Sequence, residues 1–345
     1  MIISRTPFRL SFVGGGSDLP AFCDQRMGAV LSVTLDRSMY LSAHPFHDAD
    51  RIHLRYSKSE LVSRPEDVAH PIVREALGLC GVARGIEISS SADVPAGTGL
   101  GSSSTFTVGL LHVLAAYQGK HVSREQLAST AAHIEIDRLG EPIGRQDHYA
   151  AAFGGLNVIE FHPHGVVRVE PVCVPPSVWE ALQARLLMFS VGDQRDTRTV
   201  LADQSRNVAE DRTRFDATCR MVDLVFELRD ALYAGNLSAV GPLLHRNWEI
   251  KRGLSARISN AGIDDAYSKA LAAGATGGKL LGAGGGGFLA FYVEPERQVD
   301  VRAALGHLRE MPVRFDASGS RIIFTDGAGA PPWTSQKTSI LTFSG

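Results

Sequence analysis

Residues 95–111 read PAGTGLGSSSTFTVGLL, which is three alternating glycines, three serines and then an apolar run at helical spacing. Glycine at Gly97, Gly99 and Gly101 lets consecutive backbone N–H groups converge on one point, which makes a nest for an anion. A helix starting in that nest adds the positive end of its dipole. The hydroxyls of Ser102, Ser103 and Ser104 suit a phosphate or a hard cation. A nucleotide phosphate fits all of this; a strand-to-helix turn with a serine cap fits the glycines alone. The stretch is not a dinucleotide fingerprint, because Ser102 stands where the third glycine belongs, and no lysine follows as in a Walker loop. A second stretch, GATGGKLLG, fails as a Walker loop because Leu280 follows Lys279.

Two further glycine runs invite chemistry. GAGGGG, Gly282 to Gly287, carries five glycines where a hairpin turn needs one or two, so its backbone is expected to approach a ligand closely. FVGGGSDLP sets Asp18 after three glycines, where the carboxylate could accept hydrogen bonds from substrate hydroxyls or make an Asx-turn before Leu19-Pro20. His162 and His164 read as hairpin-turn residues rather than metal ligands.

The elements that must position these loops follow from periodicity. Strands are expected over Ile2 to Val13, Ala29 to Ala43, Ile52 to Tyr56, Gly85 to Ser91 and Leu186 to Val191, with a hairpin LNVIEF/VVRVEPV turning at HPHG. Helices are expected over Pro71 to Leu79, closed by Gly81, over Ser103 to Tyr117, and from Ser123, with Gln126 completing a capping box, to about Leu139. Arg145 to Phe153 follows, Pro175-Pro176 reads as a linker, and long helices are expected near 196–234, 236–252 and 263–273. A strand after the GAGGGG loop, a helix near 296–310 and a strand near 321–325 end the pattern. Mixed order of this kind predicts α+β in both halves.

At 345 residues the chain suggests about two domains. With 44% hydrophobic and 21% charged residues it has the balance of a soluble globular protein. A formal net charge of -2 offers no basic field, so no nucleic-acid partner is expected. No apolar run approaches the roughly 18 residues of a membrane span, and MIISRTPFRLSF has no secretory-signal pattern. Cys23, Cys80, Cys173 and Cys219 are scattered, so they read as thiols in a reducing cytoplasm. The sequence leaves the oligomeric state open, a homodimer included.

The three glycine stretches, in order, resemble the three motifs of the GHMP kinase superfamily: Pro7-Phe8-Arg9 through Asp18, Pro95 through Ser103, and Lys279 through Gly287. Within it, RTPFRLSFVGGGSDLP, EPIGRQDHYAAAFGGLNVIEF and HRNWEIKRGLSARISNAGID are similar to the D-glycero-D-manno-heptose 7-phosphate kinases. Galactokinases have a Glu-His pair where this chain has Gly15-Gly16, which argues against galactose. The resemblance implies a two-domain α+β fold, a ribosomal-protein-like N-terminal domain over 1–175 and a ferredoxin-like C-terminal domain over 176–345, with a cleft between.

It further implies that ATP phosphates sit on Pro95, Gly97, Thr98, Gly99, Leu100, Gly101, Ser102, Ser103 and Ser104, the nest replacing a Walker lysine. Ser103 and Glu135 match the Mg²⁺ ligands, the alternative for Glu135 being a solvated helix charge. Asp147 matches the catalytic aspartate, which accepts the hydroxyl proton or orients the hydroxyl. Arg9 matches the cation beside it, or else is a strand-end ion pair. Gly15, Gly16, Ser17 and Asp18 would meet the sugar, with Gly285 and Gly286 of the third loop. A substrate already carrying a phosphate needs further cations, for which Arg195, Arg198, Lys251 and Arg252 are candidates; each singly reads as a solvated helix charge. The expected reaction phosphorylates the anomeric hydroxyl of heptose 7-phosphate. A kinase of mannose, fucose or a related sugar, and a silent sugar-and-ATP sensor, are the alternatives.

Overall fold

The structure is a computed structural model that describes residues 1–192 and 197–326. Strand β1 (Ile2–Val13) pairs antiparallel with the long β2 (Gly28–Pro45), and the short helix α1 (Pro20–Cys23) lies between them. From Thr6 to Val13 every residue of β1 is buried. FRLSFV alternates apolar with polar, but the strand is covered on both faces, so its polar members Arg9 and Ser11 are buried as fully as Phe8, Leu10 and Phe12.

The chain continues through β3 (Ile52–Arg55), β4 (Ser59–Val62), α2 (Pro71–Cys80) and β5 (Ile86–Ala92). Next come α3 (Ser102–Tyr117), α4 (Arg124–Ala132) and α5 (Gln146–Phe153), then the hairpin of β6 (Leu156–Phe161) and β7 (Val167–Pro171). In the second half α6 (Pro176–Ala184), β8 (Leu186–Val191), α7 (Thr197–Glu210), α8 (Arg212–Tyr233), α9 (Val240–Arg252) and α10 (Ala261–Ala272) precede β9 (Gly277–Leu280) and β10 (Gly287–Tyr292). Helix α11 (Gln298–Ala304) and strands β11 (Phe315–Asp316) and β12 (Arg321–Thr325) complete it.

Among the described residues nine strands form one sheet, ordered β12-β1-β2-β5-β3-β4, with β6, β7 and β11 joined to it through β2. The antiparallel strands β8-β10-β9 form a second, smaller sheet. The fold is α+β. β11 and β12 return to the first sheet, so the expected boundary after residue 175 divides the chain order but not that sheet.

Helix α3 is buried nearly all round, from Ser104 to Ala115 with only His112 partly exposed, and it packs on β1 and β2 amid α2, α4 and α5. On the opposite side Phe8, Phe12, Leu31 and Val33 of the sheet share a core with Val225 and Leu228 of α8 and Leu244 of α9. A third cluster joins the small sheet to α10 and α11.

Several elements differ from the sequence expectation. The 196–234 helix is broken: Asp211 leaves helical geometry (φ -117) and its side chain accepts from Thr213 N–H, capping α8. Pro175-Pro176 is no linker, because Pro176 opens α6, where its fixed φ and missing N–H cost nothing. Strand β4 was not expected, and α11 is shorter than 296–310. The capping box of Ser123 and Gln126 is present. The helix it starts runs beyond Ala132 as a π-helical turn, His133–Arg138. No helix among the described residues is long and apolar enough to cross a membrane.

Candidate active site

The serine-rich loop enters α3 without a side-chain cap, since Gly101, the residue before the helix, has φ +79 and no capping hydroxyl. The first N–H groups of α3 are therefore left facing outward, as an anion site requires. Two of the loop glycines are fixed by close approach. A Cβ on Gly99 would lie 2.5 Å from the Leu281 carbonyl oxygen, and one on Gly101 would lie 2.8 Å from Asp147 Oδ2. The loop that opens α3 is thus pressed between the third glycine loop and the start of α5.

Arg9 ties these parts together. Its Nε and Nη2 donate to Asp147 Oδ1 (2.6 Å) and Oδ2 (2.8 Å), a bidentate pair, while Nη1 donates to the Gly99 carbonyl (2.7 Å). Arg9 is 2% exposed, because β1 is covered on both faces at that point. The expected Arg9–Asp147 pair therefore forms across 138 residues of sequence.

Glu135 lies on the π-helical turn, 1% exposed. Such turns rotate a side chain out of helical register and recur at functional sites. The Ser103 hydroxyl donates to Glu135 Oε1, and His148 Nε2 lies 2.6 Å from Oε2. Burial pushes the Glu135 carboxyl up, but His148 and the hydroxyls of Ser103 and Ser104 outweigh it and hold the carboxyl below its usual range. A carboxylate and a hydroxyl beside a phosphate nest suit Mg²⁺, which prefers oxygen donors and keeps phosphate and water ligands. Among the described residues no group of three or more His, Cys, Asp or Glu gathers as a self-sufficient metal site.

On the acceptor side Asp18 is 3% exposed; its Oδ1 accepts from Gly16 N–H and its Oδ2 from Gln146 N–H, both at 3.1 Å. Burial raises the Asp18 carboxyl, the Gln146 N–H opposes this, and the neighbouring Asp147 adds to the rise. Lys251 is buried and donates to the Gly282 carbonyl (2.7 Å). Its ammonium is pushed down to about 8 by burial and by Arg9, against the pull of Asp18 and Asp147. Behind it Lys279 is fully buried, with Nζ 3.2 Å from Ser11 Oγ, and burial with the charges of Lys251 and Arg9 lowers it further.

Of these groups Arg9, Asp18, Ser103, Glu135, Asp147 and Lys251 line one cavity of about 780 Å³, while His148 and Lys279 stand behind its wall. It gathers Arg9, Gly16, Asp18, Gly97, Gly99, Gly101, Ser102, Ser103, Ser104, Glu135, Asp147 and Lys251 from the expected set. Other expected residues do not line it. Leu100 is buried in the core beside Leu281. Pro95 and Thr98 bond each other at the loop's outer edge, 3.1 Å from Thr98 Oγ1 to the Pro95 carbonyl. Ser17 is turned inward, with Oγ 2.8 Å from the Gly14 carbonyl and 2.9 Å from that of Ala29. Gly15 packs behind the lining, next to Ser11, Gln146 and Lys251. In the third loop Gly282 and Ala283 line the cavity, whereas Gly285 and Gly286 do not, and Gly285 N–H is taken by the Ile258 carbonyl. Arg198 lines the cavity and pairs with Glu141, while Arg252 pairs with Glu249 at the surface. Arg195 lies outside the described residues.

Sequence reasoning missed His148, Lys279, Gln146 and Gln204. It also missed the cavity's apolar end, where His70 stacks on Phe106 with centroids 5.1 Å apart, near Tyr56 and Ile72. The neighbour of Asp147 in GRQDHY was a visible signal for Gln146 and His148; nothing local marked Gln204.

Comparison with known proteins agrees with this geometry. Residues 63–155 match the GHMP kinases N terminal domain and residues 228–308 the GHMP kinases C terminal domain. A D-glycero-alpha-D-manno-heptose 7-phosphate kinase of Campylobacter jejuni is 27% identical over 318 residues, covering 88% of this chain and 93% of that protein. A crystal structure described as a D-glycero-D-manno-heptose 1-phosphate kinase from Bacteroides thetaiotaomicron superposes with TM-score 0.78 at 25% identity, over 94% of this chain and 99% of that one. A sugar kinase structure from Campylobacter jejuni gives 0.75 at 26% identity, over 93% and 97%. A galactokinase of Pyrococcus furiosus is 26% identical over 71% of this chain and 75% of its own length. With both family domains matched in order and the motif residues meeting in one cavity, the chain belongs to the GHMP kinases and is a sugar kinase that uses ATP.

Proposed function

We propose that this kinase transfers the γ-phosphoryl group of ATP to the anomeric hydroxyl of D-glycero-D-manno-heptose 7-phosphate, giving the 1,7-bisphosphate for activated-heptose synthesis. The observation that carries the catalytic part is the Arg9 fork, which holds Asp147 and the Gly99 carbonyl in one planar group and so sets the proton acceptor against the phosphate loop. Asp147 takes the hydroxyl proton as that oxygen bonds to the γ-phosphorus and the bond to ADP breaks. Arg9 and the N–H groups at the start of α3 offset the charge on the transferred group. Ser103 and Glu135 would hold Mg²⁺, with His148 orienting the carboxylate; the ion would neutralise phosphate charge. The apolar end around His70 and Phe106 suits a purine ring.

The buried Lys251 supports a substrate that already bears a phosphate, since burial and Arg9 outweigh the pull of Asp18 and Asp147 on its ammonium and a further anion would stabilise it. The heptose phosphate kinases among the similar proteins support the sugar. The four unpaired cysteines support a cytoplasmic setting. Incubation with ATP and heptose 7-phosphate, followed by phosphorus NMR, is expected to show ADP and a second, anomeric phosphate. Turnover of unphosphorylated mannose, fucose or galactose with none of heptose 7-phosphate would overturn the assignment.

A further inference from the structure

Two glutamine side chains at the acceptor end carry polar atoms that no other described residue uses. Gln204, on α7, is 1% exposed, and among the described residues neither its Oε1 nor its Nε2 has a hydrogen-bond partner. Gln146 Oε1 is likewise buried and unpartnered, although the N–H of the same residue is committed to Asp18. A primary amide offers two donors and an acceptor oxygen. Folds rarely bury such atoms unmet, because they lose water and gain nothing in return.

Both glutamines line the cavity, and both lie against the same piece of backbone. A Cβ on Gly16 would stand 2.2 Å from Gln204 Nε2, so glycine there is what allows the amide its place. A Cβ on Gly15 would stand 3.8 Å from both Gln146 Oε1 and Lys251 Nζ. Helix α7 turns Thr197, Leu201 and Gln204, spaced four and three residues apart, toward the cavity. The Gly15-Gly16 turn is therefore ringed by an acceptor, an amide of both polarities and a cation, with Asp18 two residues on.

We propose that Gln204 and Gln146 determine acceptor specificity by hydrogen-bonding separate hydroxyls of one phosphorylated polyol whose phosphate faces Lys251. This rests on the sugar-kinase reading of the cavity and adds the class of acceptor to it. A hydroxyl both donates and accepts, so it matches a primary amide in either orientation. An acceptor with a single hydroxyl leaves at least one glutamine unmet and is rejected for that reason.

Gln204→Leu keeps approximate shape and removes the amide. The KM for the sugar phosphate is expected to rise about 10- to 100-fold while the KM for ATP stays at its wild-type value. Tm is expected to hold or rise, because apolar surface replaces an unmet buried amide. Gln146→Leu is measured in parallel, and Gln204→Met substitutes if the leucine variant does not fold. A series of monodeoxy sugars assigns the contact: the analogue lacking the hydroxyl read by Gln204 is penalised in the wild type and not further in the variant.

An unchanged sugar KM, or a fall in Tm with sugar affinity intact, overturns the proposal and makes the amide a packing element. Equal deoxy penalties in both proteins overturn it as well. Unphosphorylated galactose, mannose and fucose are run alongside. If only one of these is turned over, the heptose assignment and the phosphate contact at Lys251 both fail, and the same comparison on that sugar still decides whether the glutamines read its hydroxyls. If no sugar binds, both fall.

Discussion

Asp147 receives two hydrogen bonds from Arg9, which set its carboxylate beside the loop that opens α3. Asp147→Asn retains the shape and removes the proton acceptor, so kcat should drop about 10²- to 10⁴-fold in a coupled ADP assay, with ATP affinity by calorimetry within a few-fold of wild type. Lys251 yields a pH prediction. The unfolded chain keeps its ammonium to about 10.4 and the fold only to about 8, so between those values the unfolded state holds more protons and folding stability rises with pH. Substrate phosphate wants the opposite. The KM for a phosphorylated sugar should climb about tenfold per pH unit above about 8, with Arg9, Asp18 and Asp147 as the charged neighbours and Lys279 as a buried titratable one. Lys251→Met should raise that KM at neutral pH, flatten its pH profile, and raise Tm. At this scale the motifs were legible as residue types, and the family resemblance paired Arg9 with Asp147. His148 against Glu135 and Lys279 against Ser11 were not legible, since each joins side chains whose meeting depends on how distant or irregular backbone is laid down.

Elements were legible where local chemistry decides them. Ser123 and Gln126 satisfy each other's backbone N–H groups, a reciprocal bond written within four residues. Ser123→Ala should cost about 1 kcal/mol in urea unfolding, with kcat little changed. The π-helical turn that follows was illegible, because an extra residue in a helical turn leaves the apolar spacing nearly unaltered. The break at Asp211 was hidden for a similar reason: apolar residues continue at helical spacing on either side of it. Gly101→Ala tests the loop as an element. Its φ of +79 costs a side chain about 1–2 kcal/mol, and the added methyl would stand 2.8 Å from Asp147 Oδ2. Turnover should fall well beyond what the loss in Tm explains, and ATP affinity should fall with it.

Over the whole molecule, the two halves share a core. Phe22 of the first half and Phe215 of α8 have ring centroids 4.8 Å apart, and Phe8, Phe12, Val225 and Leu228 belong to the same cluster. One cooperative thermal transition is expected, and a fragment of residues 1–175 should stay unfolded by circular dichroism. Leu228→Ala should remove about 2–5 kcal/mol from that single transition. The α+β class was readable from the order of elements, but the return of β11 and β12 to the first sheet was not, because two short strands carry no mark of their partner. That return has a consequence for biosynthesis. Ile2 is paired with Thr325, so that edge of β1 stays open until β12, made about 300 residues later, has left the ribosome. At roughly 5–20 residues per second the delay is on the order of tens of seconds, during which that edge depends on chaperones or on its own solubility.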